Sequence, residues 1–475
     1  MSIKYGVQPM KSKKVKYKDP FSAIAKDLAS KFDGATDVGD IELLKSLIEQ
    51  AEEIVKSQDK ASQLQIFYSL GTVCGDFIKL DPHCDRELSL EKQLYYFRKS
   101  IILAEDEELQ LEKYKPYILG IKRILYVNYG NALDQCGRKI SAIEQYLLSL
   151  RIDPTFGMTV GNIGMAYVHY GLLVSDPTQQ NYFHHFAYDY LSRAISAETH
   201  DTIPEARISF EETIEAYNSS NIKSILSAPL NIPHRQCDEP EENAYRRWAL
   251  DTRLFLNPLN DLPIKDFYFA TDIIQLPSIV ANFDDKPIFH GMFNQIKQEF
   301  IFARYQFYSS LQIPDATHFA DKDTYLLNFA DYPQYSVRIE KLKSSFKTLY
   351  SLLDKIAFFI NEYFNLGIRE QDVSFRSIWE TEKKGKNGYH YTNVLMHENN
   401  FALQSIYWIN KDFVRPFLDS PNPWAKRISI IRNALEHKYV KVFSQDFPAQ
   451  TDGEIDGLAL YVSEQELIEQ TMFLL

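Results

Sequence analysis

Long apolar runs are missing from this 475-residue chain. None reaches the roughly 18–20 residues that a membrane-spanning helix requires, so no membrane partner is expected. The start, MSIKYGVQPMKSKKVKYKDP, is polar and lysine-rich and lacks the apolar core of a secretion signal. Cysteine is scarce, and Cys74, Cys84, Cys136 and Cys237 lie far apart without metal-ligand spacing. Cys74 and Cys84 are near enough in sequence to pair, but scattered thiols fit a reduced, cytoplasmic protein better. Neither a P-loop nor a dinucleotide-binding glycine pattern occurs, which argues against an ATPase or a dehydrogenase. No metal-ligand cluster is found either, so neither metal nor other cofactor is expected.

What is present is ample core material. Apolar residues make up 45% of the chain and aromatic ones 14%, at a length that suits two or three domains. The net charge of −12 argues against nucleic-acid binding over the whole surface. Its distribution is uneven, however. Residues 338–446 hold 17 Lys and Arg against 12 Asp and Glu, whereas residues 447–475 have six acids and no Lys or Arg. A mildly basic segment inside an acidic protein permits a local site for a polyanion.

The first half repeats itself. VNYGNALDQCG (127–137) and GNIGMAYVHYG (161–171) align with a shift of 34, which pairs Asn128 with Asn162, Gly130 with Gly164, Ala132 with Ala166 and Gly137 with Gly171. A period of 34 residues is the mark of tetratricopeptide repeats. Leu133, Ala142, Tyr146, Ser149 and Pro154 continue the pattern. Small residues let paired helices approach, an aromatic fills the gap, and a proline ends the second helix. The next copy looks interrupted by SDPTQQNYF before resuming at Ala187, Leu191 and Ala194, and a weaker copy surrounds Gly71. Flanking helices are expected at 41–56 and 203–217. The pattern therefore predicts a solenoid of three to four irregular repeats over residues 36–220, after a polar N-terminal segment (1–35). Its concave face would suit a peptide or protein ligand. Asn128 and Asn162 either line that face or bond within the repeats; the pattern leaves both open.

Proline, asparagine and serine cluster after residue 220, which marks 221–284 as a linker or irregular platform, with a short strand or buried extended segment in IKDFYFATDIIQLP. Helical periodicity resumes at 291–311, 338–366, 399–413 and 420–443. In the second of these, Leu342, Phe346, Leu349, Leu353, Ile356 and Ile360 step by three and four. Four such helices predict an all-α bundle over 285–475 that ends in an acidic tail.

The last of these helices contains Arg432-Asn433-Ala434-Leu435-Glu436-His437. At about 100° per residue, Asn433 and His437 share a face, while Arg432 and His437 stand about 140° apart. A second copy of the helix, related by a two-fold axis, would bring two such sets together. The simpler reading is an Arg432–Glu436 ion pair at i,i+4, with His437 favouring the helix C-terminus.

This stretch resembles the R-x(4–6)-H motif of the HEPN superfamily, whose members are helical bundles and in many cases metal-independent ribonucleases. The polar residue after the arginine, the placement on a late helix and the repeats upstream all strengthen the likeness. The resemblance implies a homodimeric endoribonuclease acting on RNA, with the repeats sensing a partner or trigger, as in toxins and antiviral defence effectors. His437 would accept the ribose 2′-OH proton, being the side chain that titrates nearest neutrality. Arg432 would hold the scissile phosphate and stabilise its developing charge, with Asn433 orienting or donating. The products would be a 2′,3′-cyclic phosphate and a 5′-hydroxyl. Asp354, on the long helix, is a candidate supporting residue. The stretch 380–391 is expected as a basic loop in which Lys383, Lys384, Lys386 and Tyr389 would hold single-stranded RNA. The alternative is a non-catalytic adaptor whose bundle serves dimerisation or nucleotide binding.

Overall fold

A computed structural model of the protein describes residues 16–280, 286–314, 318–326, 333–384, 388–391, 400–413, 423–444 and 458–475. These form two compact units. One comprises residues 1–170 with 187–223, and the other 171–186 with 224–475. The all-α class expected from the sequence holds, with a helical solenoid followed by a helical bundle and only short strands.

The solenoid is built from α1 (Ala23–Val38), α2 (Ile41–Ile54), α3 (Lys60–Leu80), α4 (Arg86–Ala104), α5 (Lys115–Gln135), α6 (Lys139–Ile152), α7 (Gly157–Leu173), α8 (Pro177–Ala194) and α9 (Pro204–Ser219). The unit boundary falls within α7 and α8. The first helices start where a side-chain oxygen is available to cap them. Ser22, Asp40, Asp59 and Asp85 accept from the backbone N–H of Ala25, Leu43, Ser62 and Leu88.

Small residues set the helix pairing. A Cβ on Gly130 of α5 would stand 2.4 Å from the ring of Tyr146 on α6, and one on Gly71 of α3 would stand 2.5 Å from Phe97 on α4. One on Gly164 of α7 would come within 2.8 Å of Leu191 on α8. At each pair the glycine leaves the space that the partner's large side chain occupies. The 34-residue spacing thus reports a packing contact. The two repeated asparagines turn inward. Asn128 donates to the Tyr68 hydroxyl at 3.0 Å, and Asn162 to Asn131 Oδ1 at 2.8 Å, so both tie neighbouring repeats together.

Two sequence expectations change here. Residues 23–38, within the segment read as a polar start, form α1, whose Ala25, Leu28, Phe32 and Ala35 are buried. Their three- and four-residue steps make an apolar stripe diluted by polar neighbours. Most of SDPTQQNYF is likewise not an interruption, because α8 already begins at Pro177. Proline is well suited to that first turn.

After the short α10 (Ile222–Leu226), α11 (Pro240–Asp251) leads into an irregular but folded platform. Leu254, Phe255, Leu259, Leu262, Phe267 and Phe269 are buried in it, and Phe267–Phe269 form a 3-10 turn rather than a strand. The bundle comprises α12 (Ile288–Gln312), α13 (Val337–Phe364), α14 (Phe401–Phe413), α15 (Pro423–His437) and α16 (Glu464–Leu474). Helices α12 and α13 run antiparallel: Lys341 bonds to Ser309 and Ser345 to the Ala303 carbonyl, and Lys355 pairs with Glu299.

Arg304 of α12 is only 1% exposed and anchors the platform to the bundle. It makes two 2.8 Å bonds to Asp272, one of 2.7 Å to the Leu254 carbonyl and one of 2.8 Å to Tyr245. A buried guanidinium with four of its five N–H groups bonded is stable only while those partners stay.

Two hairpin-sized pairings interrupt the helices. Strands β1 (Glu380–Lys384) and β2 (Gly388–Tyr391) pair antiparallel, with Lys383 opposite Tyr389. The stretch expected as a basic loop is therefore mostly a strand pair. Strands β3 (Tyr439–Phe443) and β4 (Ala459–Ser463) pair parallel. The helix expected to run to residue 443 thus stops at His437. The alternation of Tyr439-Val440-Lys441-Val442, with two β-branched residues, suits a strand, and Val440 and Val442 enter the bundle core. The acidic C-terminal stretch is also structured from residue 458. Leu467 of α16 is fully buried, and Glu464 and Glu466 sit in its first turn, where negative charge complements the helix dipole. Glu464 pairs with Arg338 at 2.7 Å and Glu466 with Arg427.

Candidate functional site

The site is positioned by the way α15 packs. Its buried residues Ala425, Ile428, Ile431 and Ala434 recur every third position, and the last three join a core that includes Phe307, Leu342 and Phe346. The residues between them are thereby turned outward. Arg432 is half-buried, while Asn433, Glu436 and His437 are exposed. His437 is the last residue of α15, beside the helix's negative C-terminal end.

Among the described residues Arg432 does not form the ion pair with Glu436 that the simpler reading offered. Its guanidinium carbon lies 5.3 Å from the centre of the Tyr350 ring on α13, and Nη1 donates to Asn433 Oδ1 at 3.2 Å. Glu436 turns to Lys347 instead, with 3.7 Å between the charged atoms. Both partners of that pair are well exposed, so it contributes little to stability. Among the described residues Arg432 has no carboxylate partner and keeps its charge available to an anion. Burial raises the Tyr350 phenol above its ordinary pKa, while a hydrogen bond with Ser429 and the charge of Arg432 pull the other way. Tyr350 is therefore a neutral, polarisable floor under the guanidinium.

Arg432 and Asn433 come together as one bonded pair. Asp354 does not reach them by any hydrogen bond among the described residues; it accepts the backbone N–H of Phe375 at 2.9 Å and pins the chain that follows α13. Lys386 lies outside the described residues, and Lys383, Lys384 and Tyr389 are described only through their strands. Tyr350 lies against Arg432, Lys347 against Glu436 and Ser429 against Tyr350. No signal in the sequence pointed to them, because helical period does not reveal which helix lies opposite. Among the described residues no group of three or more His, Cys, Asp or Glu could hold a metal ion, and no helix is long and apolar enough to cross a membrane.

Residues 280–475 match the family model of LA2681-like HEPN domains. The similarity covers the bundle and leaves the repeats outside it. No curated protein and no solved structure matches the chain.

Proposed function

We propose that the protein is a metal-independent endoribonuclease in which His437 acts as general base on the ribose 2′-OH and Arg432 stabilises the phosphate. The observation that carries this reading is the guanidinium of Arg432, held over Tyr350, bonded to Asn433 and without a carboxylate partner among the described residues, on the helix that ends in the exposed His437. A half-buried guanidinium binds a phosphate more strongly than one fully in water. The roughly 140° between Arg432 and His437 favours a homodimer through the bundle, in which one chain's arginine works with the other's histidine. We read the solenoid as tetratricopeptide repeats that bind a peptide or protein and so couple a trigger to the site, as a toxin or defence effector requires.

Purified protein incubated with total RNA in EDTA should leave 2′,3′-cyclic phosphate ends. His437→Ala should lower the rate at least a hundredfold while circular dichroism stays unchanged. Cleavage that persists in His437→Ala would overturn the assignment.

A further inference from the structure

The solenoid carries a groove whose walls have one sign of charge. It encloses about 550 Å3 and is formed by α1, α3 and α5, the first helices of three successive pairs. Phe21, Phe32, Tyr68 and Tyr117 give it aromatic walls, and Asp33 and Asp76 stand among them. No Lys or Arg lines it. Asp33 has no ion partner among the described residues, and Asp76 is met only by Lys79, at 3.1 Å and 72% exposed. Such a solvent-facing pair is easily exchanged. Burial and the charges of Asp37 and Asp76 raise the Asp33 carboxyl above its usual range, which marks an excess of negative charge that a cation would relieve.

Two further features fit an incoming chain. Gln65 lines the groove, and its Oε1, closed off from solvent, has no hydrogen-bond partner among the described residues. Gly120, in the second turn of α5, lines the groove without a side chain, and a Cβ there would meet nothing within 4 Å. Acceptors, carboxylates and aromatic faces together suit a donor-rich cation flanked by apolar surface.

We propose that this groove binds a segment of a partner protein that presents a lysine or arginine next to an apolar or aromatic side chain. The inference rests on the reading of the solenoid as a peptide-binding module and adds the chemistry of its ligand. Charge complementarity selects the occupant: an acidic segment would face uncompensated repulsion from Asp33 and Asp76.

Random twelve-residue peptides displayed on phage, selected against the full chain, test it. Enriched peptides should carry Lys or Arg beside an apolar residue, and their synthetic versions should bind with an affinity that falls as salt rises. Asp33→Asn with Asp76→Asn should weaken binding at least tenfold. Gly120→Trp, which fills the groove and leaves the carboxylates alone, should abolish it. Enrichment of acidic or neutral peptides, or binding untouched by either variant, would overturn the proposal. So would enrichment seen only after residues 1–15 are removed, because that would assign the groove to the chain's own lysine-rich start. No enrichment at all would also remove the peptide-binding reading of the solenoid. RNA cleavage is measured separately, so the nuclease assignment stands or falls on its own.

Discussion

Two glycines of α5 have opposite surroundings. Gly130 faces Tyr146, which is 3% exposed and whose hydroxyl bonds to Asn131 at 2.8 Å; Gly120 faces open space. The same substitution should therefore act with opposite sign. Gly130→Ala should destabilise the protein by about 1–3 kcal/mol through overpacking, less the roughly 1 kcal/mol that alanine gains in helix propensity. Gly120→Ala should stabilise by up to about 1 kcal/mol, since only the propensity term remains. Urea titration of both variants checks this, and equal shifts would contradict the packing account. The 34-residue spacing showed that Gly130 matters. It also marked Tyr146 as the aromatic that fills a gap, but not that the gap is the one at Gly130, because the ring arrives from a helix 16 positions later. At the candidate site the limit is similar. The spacing of Arg432 and Glu436 is right for an ion pair, yet Glu436 faces Lys347 and Arg432 faces Tyr350. Rotamer choice is decided by what α13 offers, and that neighbour is absent from the local pattern.

Among the elements, polar contacts fix helix ends that apolar packing leaves free. Arg123 of α5 reaches Asp153, just beyond α6, at 2.6 Å, and His200, ahead of α9, meets the same carboxylate at 3.1 Å. Burial works against ionisation of Asp153, but hydrogen bonds from Arg123 and Thr155 and the neighbouring His200 outweigh it and hold its pKa below the usual carboxylate value. A group depressed in the folded state stabilises the fold above its unfolded pKa of about 4 and loses that contribution as acid protonates it. Stability should thus fall as pH drops below about 4, and Asp153→Asn should flatten that part of the profile. Thermal melts between pH 3 and 7 check it, and an unchanged slope in the variant would contradict the linkage. The elements that sequence reading missed were those with mixed signals. In α1 the stripe of Ala25, Leu28, Phe32 and Ala35 is thin, and β3 continues directly from α15 with only Lys438 between them. A strand that short is defined by its partner, and β4 lies 20 residues further along the chain, Ala459 opposite Tyr439.

For the molecule as a whole, the segment that matches the family and the segment that folds are not the same. The match begins at residue 280, but Arg304 inside it depends on Asp272, Leu254 and Tyr245, which lie before it. Cutting at 280 leaves a guanidinium that is 1% exposed without its carboxylate, a loss on the order of 3–5 kcal/mol. A fragment of residues 171–475 should therefore melt cooperatively, whereas 280–475 should melt far lower or not fold. Differential scanning calorimetry of the two fragments checks this; equal stability would show that the platform is dispensable.

The sequence by itself determined the helical class and carried the 34-residue spacing of the repeats, because both are written in local spacing, whereas Arg432, Asn433 and His437 were singled out by resemblance and remain a proposed site. Tertiary structure alone decided that Asn128 and Asn162 link repeats, that α15 gives way to a strand after His437, and that Arg432 rests on Tyr350 rather than on Glu436. Those outcomes depend on which surface lies opposite, and contacts between residues distant in the chain leave no periodic trace along it.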